Sequence, residues 1–280
     1  MRPDPDRLRC PDCARDGLAW PADEDAVRCP GCGTRWPVID GFPKLYRDAD
    51  LGRVDRLMRV IYDGLPALHD PMVRIALPLL QGWPETEAHV RRGFLDRLAL
   101  DGLTPRADGA PRRILEVSVG TGANLPNLYA EAPDGPIEIW GLDYSIGMLR
   151  RCARRCRRRP LDATRLLLGD AHTLPFADDT FDRVFHVGAI NGFADPGRAL
   201  REMMRVARPG TPVVVVDEQL DPARRHGPLR RLGFRAVTFY DPAPACPRAA
   251  VPADAIDVEE TQIARFFYCL RFWSPSSPSP

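Results

Sequence analysis

ILEVSVGTGANL, residues 114–125, reads as a buried strand that ends in an acid and runs straight into a turn holding two glycines. Glycine at Gly120 and Gly122 permits positive backbone torsion and lets a ligand come close to the chain. A dinucleotide site requires G-x-G-x-x-G, whose third glycine packs helix on strand beneath a pyrophosphate. Here Leu125 stands in that place, so the spacing points to a ligand without a pyrophosphate.

Outward from this turn the pattern alternates. Strands are expected at Arg113–Val117, Ile137–Asp143, Leu166–Leu168, Asp182–Val187 and Val213–Val216. Helices are expected between them, at Asn124–Ala130, at Ser145–Arg158 behind a serine cap, and at Pro196–Ala207. Such alternation over more than a hundred residues predicts an α/β fold, a doubly wound, mostly parallel sheet covered by helices on both faces. Asp143 ends the second strand, where an acid can accept both hydroxyls of a ribose, and Asp170 follows the third. Two terminal strands are expected at Ile256–Ile263 and Phe266–Phe272, and SPSSPSP, residues 274–280, reads as a disordered tail. From Asp48 to Leu100 apolar residues such as Leu57, Val60, Ile75 and Leu79 recur at helical spacing, broken by prolines into short pieces. The segment 220–252 is rich in proline and arginine and shows little period.

Hydrophobic residues make up 44% of the 280 and charged residues 28%, enough for a sizeable core and against wholesale disorder. No window approaches the ~18 apolar residues of a membrane span, and the opening lacks the apolar run of a signal peptide. A cytoplasmic protein with no membrane partner is the expectation. The net charge of +1 gives no global attraction for nucleic acid, so any such binding would need a local patch. The dense run Arg150, Arg151, Arg154, Arg155, Arg157, Arg158 and Arg159 reads as the solvated face and last turn of a helix.

Cys10, Cys13, Cys29 and Cys32 form C-x2-C-x15-C-x2-C, the spacing of a four-thiolate zinc site. Each CxxC lets two sulfurs of one tight turn reach one metal, with Gly31 and Gly33 expected to relax the second turn. Zinc without an open position is structural, so this module supports and does not catalyse. WPVIDGFPKLY, residues 36–46, resembles the end of small zinc-ribbon proteins that bind and activate methyltransferases.

Taken in order, the glycine turn, GLDYSIGML at 141–149 and GDAHTLPFADDTFDRVFHVGAINGF at 169–193 resemble the class I S-adenosylmethionine-dependent methyltransferases, above all the ubiquinone and menaquinone branch. The resemblance runs from about Arg113 to Glu218 and implies a seven-stranded Rossmann-like sheet. On it, Glu116 orders the turn and the methionine ammonium region. Gly120 and Gly122 approach the cofactor, Asp143 holds the ribose, and Asp170 with the Ala171 backbone reads the adenine. Val119, Tyr144, Met148 and His186 are set along the same pocket. Ser118 stands where the family usually has its first glycine, and a serine there can bond the methionine carboxylate. His186, at the end of the fourth strand, is the candidate catalytic base, with His226, Asp217, Glu218 and Tyr62 behind it; a histidine satisfied in the core is the alternative.

These readings divide the chain into a zinc ribbon at 1–47, a helical lid and linker at 48–110, and a methyltransferase domain at 111–273 with a substrate-side insertion at 220–253. The expected activity is methyl transfer to a small, partly apolar molecule, in specialised metabolism or another biosynthesis. Two alternatives stand beside it: a ribosomal or transfer RNA methyltransferase, because such enzymes also carry a zinc site before this fold, and a non-enzymatic binding or regulatory protein. Near absence of lysine and the apolar helical segment argue against RNA; the acids Glu116, Asp143 and Asp170 argue against a non-enzymatic role.

Overall fold

A computed structural model describes residues 2–21, 24–64, 70–71, 74–75, 77–82, 85–106, 108–159 and 161–275. Most of the expected tail, 276–280, lies outside them. Three short strands come first, β1 (Ala26–Arg28), β2 (Arg35–Ile39) and β3 (Phe42–Leu45), followed by helices α1 (Arg53–Gly64), α2 (Leu77–Gln81) and α3 (Glu87–Leu98). The alternating part is β4 (Arg112–Val117), α4 (Leu125–Glu131), β5 (Ile137–Asp143), α5 (Ile146–Arg157), β6 (Thr164–Gly169), β7 (Arg183–Val187), α6 (Pro196–Val206) and β8 (Pro212–Glu218). Helix α7 (Pro228–Val237) and strands β9 (Ile256–Ala264) and β10 (Phe267–Trp273) complete the order.

All strands join one ten-stranded sheet in the order β1-β2-β3-β6-β5-β4-β7-β8-β10-β9. Pairing is parallel from β3 through β8 and antiparallel at both ends. The expected seven strands are there; the ribbon adds three more, because β3 pairs with β6 at Lys44↔Leu168 and Leu45↔Gly169. Central strand β4 is buried along its whole length, as a parallel strand covered on both faces must be. Its side chains alternate, with Ile114 facing one core and Leu115 and Val117 the other. Glu116 therefore falls on the Ile114 face, toward the glycine turn.

The ribbon is no separate body. Leu8, Cys10, Trp36 and Leu45 share a core with Trp140, Phe176 and Met203. Burying a large apolar side chain contributes roughly 1.5–3 kcal/mol. Arg9 N–H donates to the Pro175 carbonyl (3.0 Å) and its guanidinium to Asp178 (2.7 Å), fastening the first knuckle to the loop after β6.

The stretch 48–110 divides in two. Helix α3 buries Val90, Phe94, Leu95 and Leu98 in the main core, where Phe94 stacks on Phe185 of β7. Helix α1 instead lies over the start of α5, close enough that a Cβ on Gly147 would stand 2.7 Å from the Tyr62 carbonyl. Helix α7 falls in the segment read as lacking period, and only its Phe234 is buried.

Candidate functional site

In an open α/β sheet the binding crevice lies beyond the carboxyl ends of the strands, where strand order reverses. Here the chain leaves β4 toward β5 and β6 on one side and returns to β7 and β8 on the other. The glycine turn sits at this point. Gly120 and Gly122 both have positive φ (54° and 70°), and so does Ser118 (57°). Serine thus occupies a conformation that favours glycine, at a cost on the order of 1–2 kcal/mol. The two glycines differ in what surrounds them. A Cβ on Gly122 would stand 2.6 Å from Cys152 Sγ, so that glycine serves packing of α5. A Cβ on Gly120 would meet nothing closer than the Ser118 carbonyl at 4.0 Å, which leaves room for a ligand to approach.

Glu116 is buried, and Asn124 Nδ2 donates to its Oε1 (2.6 Å), while Oε2 has no partner among the described residues. Burial pushes its carboxyl up to about 8, against the pull of the Asn124 hydrogen bond and of Arg91. An orphaned carboxylate oxygen beside an open glycine turn fits a ligand carrying an ammonium group. Asp143 accepts from Gly120 N–H (2.8 Å) through Oδ2 and from Ser145 N–H (2.8 Å) through Oδ1, tying the turn to the α5 N-terminus. Ser145 caps α5 as expected, its Oγ accepting from Met148 N–H (3.2 Å). Tyr144 lies between, its carbonyl accepting from the Tyr46 hydroxyl of the ribbon (2.8 Å), and Val119 N–H donates to the Leu142 carbonyl (2.9 Å). At the end of β6, Asp170 accepts from His172 N–H (3.0 Å) and Nδ1 (2.7 Å), and Ala171 is buried next to it.

His186 is wholly buried. Its Nδ1 lies 3.0 Å from the Val117 carbonyl, which can only accept, so Nδ1 carries the proton and Nε2 the lone pair. Burial lowers the ring to about 4, which keeps it neutral. Sequence reasoning placed Asp217 and Glu218 only behind it. Asp217 is buried and accepts from Asn191 N–H (2.7 Å) and Ala189 N–H (3.2 Å), holding the loop after β7, while half-buried Glu218 accepts from the Tyr240 hydroxyl (2.7 Å). His226 Nε2 donates to the Asp221 carbonyl (2.8 Å) and stands in the insertion. Beyond Glu218 opens a cleft of about 810 Å³ lined by Gln219, Leu220, Leu232, Phe234 and Pro244, among others.

A helical lid is expected from 48–110, but the polar contacts that fix it over the turn are not legible in the sequence. Asp63 of α1 accepts from Ser145 Oγ (2.6 Å) and Gly147 N–H (3.0 Å). Asp70 accepts from Thr121 Oγ1 (2.6 Å) and from Arg155 (2.6 Å), which also donates to the Thr121 carbonyl. Arg155 is thus an internal clamp, whereas Arg150, Arg154, Arg157, Arg158 and Arg159 of the same run are exposed. Cys152 and Cys156 are buried packing residues.

At the other end, the sulfurs of Cys10, Cys13, Cys29 and Cys32 all lie within 4.8 Å of one another, with Cys10–Cys32 at 3.7 Å and Cys13–Cys29 at 3.5 Å. Tetrahedral zinc–thiolate bonds demand about 3.8 Å between sulfurs, so the set fits zinc. Gly33 has positive φ (76°), and Ala14 takes the same position after the first CxxC (57°). The expectation for Gly31 is corrected: its φ is not positive, and a Cβ there would stand 2.6 Å from Arg15 Cδ, so close packing holds it.

Comparison with known proteins agrees with this geometry. The methyltransferase domain family matches residues 115–215. A demethylmenaquinone methyltransferase of Thermus thermophilus is 37% identical over 128 residues, 46% of this chain and 57% of that protein. A phosphatidylethanolamine N-methyltransferase of Cereibacter sphaeroides is 38% identical over 118 residues, 42% and 54% of the two. The match thus spans little more than half the length of these relatives. Among solved structures, a Haemonchus contortus phosphoethanolamine N-methyltransferase in complex with S-adenosylmethionine is similar in fold, with TM-score 0.57 at 13% identity over 84% of this chain and 62% of that one. The segment 115–215 is a methyltransferase domain of the class I S-adenosylmethionine-dependent type.

Proposed function

We propose that the protein transfers the methyl group of S-adenosylmethionine to a small molecule with a polar head and an apolar body, of the lipid-borne quinol or aminophospholipid kind. The orphaned Oε2 of Glu116 beside the open face of Gly120 carries the cofactor half of this reading. Glu116 would accept from the methionine ammonium, Asp143 from the ribose hydroxyls, and Asp170 with the Ala171 backbone would meet the adenine. The acceptor half draws on the relatives, whose names specify a quinone and a phospholipid substrate, and on the cleft beyond Glu218, lined by Leu220, Leu232 and Phe234.

The cofactor supplies a methyl on a positively charged sulfur, and that charge vanishes as the methyl leaves. A site closed to water therefore favours transfer, and the protein's main task is alignment. Helix α1, pinned by Asp63, and Asp70 on the glycine turn close the site. His186, neutral and enclosed, shapes the pocket floor rather than acting as base. Glu218, held by Tyr240 and next in sequence to Gln219 of the cleft lining, would receive a proton from the acceptor's polar head. The four cysteines would hold one structural zinc ion.

Calorimetry tests the cofactor half. Asp143→Ala should weaken S-adenosylmethionine binding by about 1–3 kcal/mol, because two ribose hydroxyls lose their acceptor. Glu116→Gln should weaken it too, yet stabilise the ligand-free protein. A carboxyl raised from 4.5 to about 8 by burial loses folded stability as pH climbs between those values, by about 3 kcal/mol at neutral pH, and the amide removes that loss. Unchanged affinity in both variants refutes the assignment. Transfer of labelled methyl to extracted lipids, and not to RNA, is the expected outcome for the acceptor.

A further inference from the structure

Helices α1 and α7 are built inside out. On α1, Asp55 and Met58 face inward, while Arg53, Arg56, Leu57 and Val60 are exposed at helical spacing. On α7 and the turn after it, Leu229, Leu232, Ala236 and Phe239 follow one another at three- and four-residue intervals and all lie exposed, with Leu229 at 83%. Between them Ile75 and Leu79 are exposed as well, Leu79 at 78%. Of the large apolar side chains that stand exposed among the described residues, all but Ile256 belong to these neighbouring segments. The segments adjoin: α2 packs on α7, a Cβ on Gly82 would lie 2.9 Å from Arg230, and a Cβ on Gly192 would lie 3.3 Å from Tyr240 and 3.7 Å from Val54 of α1.

Arginines stand among these leucines. Arg53, Arg56, Arg74, Arg225, Arg231 and Arg235 take part in no ion pair formed by the described residues. A chain with a net charge of only +1 therefore gathers, among the described residues, unpaired positive charge on this apolar face. Single exposed leucines need no explanation; stripes of them at helical period, set between arginines whose stems can lie along an apolar surface, do.

We propose that this face docks on an anionic lipid bilayer, with α1 and α7 lying in the headgroup plane, and that the acceptor enters the cleft from the bilayer past Leu232. Leu232 belongs both to the outward stripe and to the cleft wall, so the two surfaces are continuous. The proposal rests on the lipid-borne acceptor proposed above. Charge selects the occupant: a second copy of the chain would bring arginine against arginine, whereas anionic headgroups complement them. The sequence expectation of no membrane partner rested on the lack of a span, and no helix among the described residues is long and apolar enough to cross a membrane. Lying on a bilayer demands no span.

Co-sedimentation of the full chain with vesicles tests this. It should bind vesicles of phosphatidylcholine with phosphatidylglycerol, bind phosphatidylcholine alone at least about tenfold more weakly, and be released as salt rises. Leu57→Ser with Leu229→Ser should lower the bound fraction about tenfold or more while leaving S-adenosylmethionine affinity and the far-ultraviolet spectrum unchanged, since both leucines are exposed and stand outside the cleft lining. Equal binding to both vesicle types, no binding, or full binding by the double variant overturns the proposal. So does a stable dimer that the double variant dissociates. Intact cofactor affinity alongside any of these outcomes leaves the methyltransferase reading standing and removes only the docking surface.

Discussion

Two additions flank the cofactor end of the sheet, and they are attached by opposite means. The ribbon continues the sheet through β3 and sinks Leu8, Trp36 and Leu45 into the domain core. The α1–α7 side is pinned by scattered polar contacts: Asp63 on α5, Asp70 on the glycine turn, Glu85 on Arg224 and on the Arg265 backbone. Its leucines face outward. One attachment is made of buried area and sheet pairing, which form and fail cooperatively; the other buries few side chains, Met58 and Phe234 among them, and leans on separate hydrogen bonds that can break one at a time. Both touch the site, since the Tyr46 hydroxyl of the ribbon bonds the Tyr144 carbonyl and the Tyr62 carbonyl of α1 lies against Gly147.

Removing the zinc proposed for the four cysteines should separate the two most sharply. Cys29→Ser, or a chelator, is expected to destabilise the whole domain by several kcal/mol, because losing the metal unmakes β3 and the core it shares. Thermal denaturation and hydrogen exchange in β6 measure it; a melting temperature unmoved by chelation would show the ribbon to be a passive appendage. A smaller effect is expected from Asp63→Ala combined with Asp70→Ala. Exchange should quicken in 53–64 with a loss of about 1–3 kcal/mol, while the sheet strands stay protected. If β4 and β5 lost protection in step, the contrast between the two attachments would collapse. Smallest is Ser118→Gly, which relieves the left-handed strain and should raise stability by no more than about 1 kcal/mol, read from the melting curve.

The sequence makes the central architecture legible because parallel strands are continuous apolar runs ending in acids, and because Ser145 and the cysteine spacing are local signals. Strands β4, β5, β7 and β8 and helices α4, α5 and α6 fall within a few residues of expectation. What escaped is tertiary. FPKL, the four residues of β3, holds a proline and gives no sign that it will lie parallel to a strand more than a hundred residues on. Helix α7 escaped although Leu229, Leu232, Ala236 and Phe239 recur at helical spacing, because the prolines and arginines around them obscure the period and only Phe234 turns to the core. Of the candidate site, the strand-end acids were readable from motif order. Asp63 and Asp70 were not, because a lone acid says nothing of partners 51 to 85 residues away. His186 was legible as a residue, but its enclosure follows from packing against Phe193 and the Val117 carbonyl.

The pairing of β3 with β6 also decides where the sheet stops. Without it, Leu168 and Gly169 of TRLLLG would present bare amides and carbonyls next to Asp170, a template for another molecule's strand. With it, the sheet ends at β1, three residues long and bounded by Arg28 and Arg35, whose neighbour Glu24 bonds to both. A short, charged edge of this kind discourages edge-to-edge growth. Metal loss should therefore convert a monodisperse solution into one that scatters light before it unfolds fully, as leucine-rich β6 strands from different molecules add to one another.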